Sequence, residues 1–225
     1  MDSETEQCNL VGGILIGRSD CDNMVKFPFY WAEEILSEAQ KLGFDIVDLK
    51  RENFTEEIFK RRVENDDPFL IFLNGHGDEF CAMGYKKCPV ITINKNDHLL
   101  KDRIAHVISC KTALFLGQSA IDKGCKGYIG YTDLFHFLSI DPDPSKDIIS
   151  KIFMEAVNVV SITLLKGGSV KDAYENSQKV YRKHITECTK YFFGAKKEDS
   201  IKREHISEIL GALLVNKKNQ IFISS

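Results

Sequence analysis

At 225 residues, 43% of them hydrophobic, the chain is long enough for one sizeable α/β domain with a real core. A formal net charge of -3 with a pI near 6.1 removes the electrostatic reason to expect nucleic-acid binding. Seven scattered cysteines without a Cys-x-x-Cys pair do not form an extracellular disulfide framework, residues 1–7 are too polar for a secretory signal, and no apolar run approaches a membrane span, so a reduced cytoplasmic setting away from membranes is expected.

Residues 10–17 are continuously apolar or glycine, as a buried parallel strand requires. A polar loop is expected over 18–26. Residues 29–42 carry Trp31, Ile35, Leu36, Ala39 and Leu42 at helical spacing and stop at Gly43. Residues 44–49 alternate as a second strand. Asn53 or Thr55 can cap a helix reaching about residue 64, and Asp66-Asp67-Pro68 makes a turn before a third strand at 69–73. The glycine- and cysteine-bearing segment 79–95 holds a short strand, Val90 to Ile93. A short helix over 97–103 leads to a fourth strand at 104–109, a helix at 113–123 and a fifth strand at 127–131. This alternation predicts a doubly wound, mostly parallel sheet flanked by helices.

The run Asp141-Pro142-Asp143-Pro144-Ser145 breaks the pattern. A helix follows over 146–165 and ends at Gly167-Gly168. Ser169 can cap a long helix to about residue 193, a further amphipathic helix spans 201–214, and 220–224 read as a terminal strand. The expected organisation is an α/β core over residues 1–140, with a helical part over 141–225 packed on the same domain.

Two strands end in residues able to do chemistry. The third runs into Asn74-Gly75-His76-Gly77, the fourth into Ile108-Ser109-Cys110-Lys111-Thr112. Parallel strands place their carboxyl ends along one sheet edge, so His76 and Cys110 are expected to meet there. An imidazole lowers a thiol's pKa and holds its proton for the leaving group, which is the minimum equipment of a cysteine hydrolase. The N–H groups of Gly77 and Cys110 can receive the negative oxygen of a tetrahedral intermediate. No third residue orienting His76 is evident, although Asp78 and Glu79 are near in sequence. Taken singly, a lone histidine is more often surface or satisfied core, and a cysteine on an apolar strand is more often core; it is their joint placement that carries the reading.

These two motifs, followed by Gly127-Tyr128-Ile129-Gly130-Tyr131, resemble the caspase-like (clan CD) cysteine peptidases. The branch they look most like holds the gingipains and the CHAT domains, and the resemblance covers about residues 10–140. It implies a caspase-like fold, Cys110 as nucleophile, His76 as general base and acid, a thioester acyl-enzyme and no cofactor or metal. It further implies a protein or peptide substrate, a regulatory protein partner, and a role in stress or defence. The sequence departs from true caspases, which have Gln-Ala-Cys where this chain has Ile108-Ser109-Cys110. It also departs from metacaspases and legumains, which place an acid where Ile108 stands. In this fold the first specificity pocket is lined by the loop after strand one and the segment after strand five. These offer Asp20 and Asp22, and Thr132 and Asp133, which favour a basic substrate residue. Arg18 pulls the other way, since it can neutralise an acid or bind an acidic side chain; Asp20 and Asp22 can equally cap or solvate a loop.

The rival reading is a catalytically inactive scaffold of the same fold that binds a protein partner; a flavodoxin-like binding module stands behind it. Cys81 and Cys88 with His76 lack zinc-site spacing, and Gly12-Gly13 and Gly17 form no phosphate-loop motif.

Overall fold

The computed structural model describes residues 12–194 and 200–224. Its first strand, β1 (Ile14–Arg18), starts later than expected and takes in Arg18; residues 10 and 11 lie outside the described residues. The second half of the loop expected over 18–26 is ordered into α1 (Asn23–Trp31), which begins early because Asp22 caps it. Pro28 sits inside α1. The single helix expected at 29–42 is therefore two, α1 and α2 (Glu33–Lys41), meeting at Ala32. Next come β2 (Ile46–Lys50), α3 (Glu56–Asp66) and β3 (Leu70–Asn74), with Thr55 capping α3 by accepting from the Ile58 amide.

Segment 79–95 is a two-stranded antiparallel hairpin, β4 (Cys81–Met83) and β5 (Pro89–Thr92), of which the sequence revealed only the second strand. After it come β6 (Ile104–Ile108), α4 (Leu116–Asp122) and β7 (Gly127–Tyr131). The C-terminal part adds α5 (Ile148–Leu165), α6 (Val170–Gly194), α7 (Ser200–Asn219) and β8 (Gln220–Ser224). Ser169 and Asp172 cap α6 reciprocally, each side chain accepting from the other's backbone amide.

The main sheet has the order β2-β1-β3-β6-β7-β8 and is parallel except for β8, which runs antiparallel to β7. Period-two alternation sends Leu15, Leu73 and Val107 to one face, against Phe59 of α3 and Leu116 of α4. Ile14, Ile16, Phe72 and Ile129 face Ile35 of α2 and Val157, Val160 and Leu164 of α5. Both faces are thus covered, as the doubly wound reading requires, and the architecture is that of a caspase-like α/β fold. A third cluster (Phe153, Met154, Tyr181, Ile209, Leu213) joins α5, α6 and α7.

Contrary to the sequence reading, one segment does meet the length and hydropathy of a membrane span. It is α5, with 18 residues and mean hydropathy 1.8. Its apolar faces are spoken for: Val157, Val160 and Leu164 pack on the sheet, Phe153 and Met154 on α6 and α7.

His106 on β6 is wholly buried, with Nδ1 2.8 Å from Ser161 Oγ of α5 and the ring against Phe72. Burial disfavours the imidazolium and pushes its pKa down to about 3. The unfolded chain therefore binds one more proton than the folded chain between about pH 6.5 and pH 3. Stability is complete above that window and falls by up to about 1.4 kcal/mol per pH unit within it. Urea unfolding at pH 7, 6 and 5 should show the slope, and the double variant His106→Leu/Ser161→Ala should lose one proton's share of it.

Candidate active site

The site begins with strand register. Arg18 of β1 lies opposite Asn74 of β3, and Asn74 opposite Ile108 of β6. Three neighbouring strands thus end flush, and the loops carrying Cys21-Asp22, His76 and Cys110 leave from one edge.

Arg18 secures this edge. It is 1% exposed, and its Nε and Nη2 donate to the two Asp48 carboxylate oxygens at 2.8 and 2.7 Å. Nη1 donates to Glu33 at 2.6 Å and to the Phe29 carbonyl at 3.2 Å, and the guanidinium sits 4.6 Å from the Phe29 ring centre. Its charge is consumed in joining β1, β2, α1 and α2, so it is not offered to a substrate.

His76 is half-buried, and its Nε2 is 2.8 Å from Asp22 Oδ2. Asp22 does three things at once. Its Oδ1 caps α1 through the Met24 and Val25 amides, and its Oδ2 meets both His76 and the Lys87 ammonium, the latter at 2.8 Å. Partial burial acts to raise the Asp22 pKa, but hydrogen bonds from Lys87 and His76 outweigh it and hold the carboxyl at about 2. An ionised carboxylate can only accept, so Nε2 carries the imidazole proton and Nδ1 is left with the lone pair of a base. The sequence missed this partner because Asp22 and His76 lie on different loops; its readable signal was a helix cap. Asp78 instead accepts from the Phe80 and Cys81 amides, and Glu79 pairs with Lys111 at 3.1 Å.

The hairpin shapes the histidine loop. Met83 N–H donates to the His76 carbonyl at 2.9 Å and Asp78 N–H to the Cys81 carbonyl at 3.0 Å, making Gly77 and Ala82 a non-hydrogen-bonded antiparallel pair. In such a pair the N–H points away from the partner strand, so the Gly77 N–H remains a free donor among the described residues. A Cβ on Gly77 would lie 2.7 Å from the Ser109 Cβ and 3.0 Å from Thr112 Cγ2. The histidine loop therefore lies directly against the cysteine turn.

That turn is tightly held. Thr112 Oγ1 donates to the Ser109 carbonyl, Lys111 N–H to the Asp133 carbonyl at 3.1 Å, and Ala113 N–H to the Tyr131 carbonyl. Leu116 N–H reaches across to the Glu79 carbonyl. Lys111, next to Cys110, is left-handed at φ 60°, a conformation costly for a residue with a side chain. Cys110 itself is half-buried. Burial pushes the Cys81 and Cys125 thiols up to about 11, leaving them protonated and poorly nucleophilic.

Of the remaining residues expected at the site, Asp20 pairs with Arg51 at 2.8 Å. Thr132 Oγ1 donates to the Asn219 carbonyl, and its backbone N–H does the same. Asp133 is exposed beside the cysteine turn, with Oδ1 accepting from the Leu134 amide.

The fold is of the caspase-like α/β type. Its structure is similar to that of the Arg-specific cysteine proteinase gingipain R (RgpB), with TM-score 0.53 and 13% identity over 76% of this chain and 43% of that one. It is also similar to the complex of the Porphyromonas gingivalis RgpB pro- and mature domains, with TM-score 0.52 and 15% identity over 76% and 44%. At such identity the likeness shows the fold, and the chain spans less than half the length of these structures. No protein-family model matches the chain, and no curated protein matches it in sequence.

Gly77→Ala should wedge the two loops apart, costing about 1–3 kcal/mol of stability as overpacking does. Urea unfolding would show the loss, and Cys110 alkylation rates would report the disturbed edge.

Proposed function

We propose that the chain is a cysteine endopeptidase. The observation that carries the reading is the Asp22–His76 hydrogen bond on a loop packed against the Cys110 turn. Asp22 holds the imidazole in the tautomer whose Nδ1 accepts a proton. In the proposed reaction His76 takes the Cys110 thiol proton, and the thiolate attacks the scissile carbonyl carbon. The developing oxyanion is received by the N–H groups of Gly77 and Cys110, neither of which donates to a backbone carbonyl among the described residues. The imidazolium then protonates the leaving amine, and water hydrolyses the thioester to release the acid and restore the thiol.

A basic residue before the scissile bond fits best. Of the acids expected to select substrate, Asp20 and Asp22 are already paired within the chain, whereas Asp133 is exposed, and its carbonyl is anchored to the residue after the nucleophile. The Arg-specific proteinase of like fold agrees with that preference. Closer kinship to the CHAT domains, a regulatory protein partner and a role in stress or defence rest on the motif resemblance alone, and a cytoplasmic setting on the scattered cysteines that form no disulfide framework.

The test is a positional library of fluorogenic peptides, with a proteome lysate added as activator. Wild type should cleave after Arg or Lys, Cys110→Ala should be silent, and Asp133→Asn should lose the basic preference. Asp22→Asn should keep the fold yet lower kcat by about 10²- to 10⁴-fold, as expected when the imidazole tautomer is no longer enforced. Silence from wild type, with Cys110 alkylated no faster than the other thiols, would overturn the assignment.

A further inference from the structure

Cys21 takes no part in the proposed chemistry, yet its thiol stands beside it. Cys21 Sγ, a carboxylate oxygen of Asp22 and a ring nitrogen of His76 lie within 4.8 Å of one another, and all three residues are half-buried. Cysteine is usually a buried residue. Here it is half-exposed and makes no hydrogen bond among the described residues. A thiolate, an imidazole and a carboxylate are together the ligand set of zinc with an open fourth position. Tetrahedral zinc at its usual bond lengths needs ligand atoms about 3.3–3.8 Å apart, so small side-chain rotations bring these three into place.

We infer that Cys21, Asp22 and His76 form a zinc-type divalent-metal site whose occupation switches off the base. The inhibitory consequence rests on the peptidase reading; the metal site does not. Zinc bonds to the Cys21 sulfur, whose proton passes to buffer, and to Nε2 of His76, the nitrogen that faces Asp22. The Nε2 proton must then reside on Nδ1, which loses the lone pair that would accept the Cys110 proton. Asp22 keeps its helix cap through Oδ1 and offers Oδ2 to the metal, while a water fills the fourth position. The Lys87 ammonium, 2.8 Å from that same oxygen, is the competitor; its side chain is 55% exposed and free to swing into water.

The full reduced chain is titrated with Co²⁺ while following thiolate-to-metal charge-transfer absorption, then with Zn²⁺ as the displacing ion. Wild type and Cys110→Ala should both show the band, Cys21→Ser and His76→Ala should lose it, and Lys87→Met should bind at least tenfold more tightly. In peptide cleavage, Zn²⁺ should inhibit wild type and require at least tenfold more metal against Cys21→Ser. A missing band, or one that survives Cys21→Ser, overturns the metal site whatever the activity. A band that depends on Cys21, in a chain that cleaves no peptide and whose Cys110 is alkylated no faster than its other thiols, upholds the site and overturns the peptidase reading instead.

Discussion

The common end-point of β1, β3 and β6 is the constraint on which the rest of the molecule depends. Because Arg18, Asn74 and Ile108 sit side by side across three parallel strands, the loops that follow them emerge together. A slip of one residue in any strand would turn its buried set to the opposite face and carry its loop out of reach. Arg18 opposes such a slip. A guanidinium buried at the strand end and bound to Asp48 and Glu33 has a single satisfactory position, since an uncompensated buried charge costs several kcal/mol.

Asp22 couples the fold to the chemistry. The same carboxylate starts α1 and receives His76, so the histidine's orientation is set by a helix that is itself packed into the core through Val25 and Phe27. Lys87 and His76 compete for one oxygen, and the hairpin that carries Lys87 also shapes the histidine loop. Rearranging β4 and β5 would therefore change both the backbone of the loop and the electrostatics of its partner.

The C-terminal part completes the sheet as well as covering it. β8 closes the edge of β7, removing unpaired backbone groups that would otherwise invite edge-to-edge association. Behind it, Tyr131 at the end of β7 bonds to Tyr181 of α6 at 2.9 Å and receives a bond from Gln220. Since the Tyr131 carbonyl also holds Ala113, the C-terminal helices brace the cysteine turn from below.

Strand existence was readable from the sequence because buried parallel strands demand continuous apolar runs, as at Ile14–Arg18, Leu70–Asn74 and Gly127–Tyr131. The break points of the chain, and the arrival of His76 and Cys110 at strand ends, follow from the same pattern together with glycine and proline chemistry. The capping role of Ser169 was also legible, being local, and of the two caps offered for α3, Asn53 and Thr55, the structure uses Thr55. Misread were the start of α1, which the Asp22 cap places at Asn23 rather than at the expected Phe29, and β4, whose three residues are too few to show a period. The partners of charged groups came only from tertiary structure. Nothing in composition or spacing tells that Asp22 faces His76 or that Arg18 is spent on Asp48 and Glu33. Such pairings depend on distances between loops far apart in the chain, which register and packing alone decide.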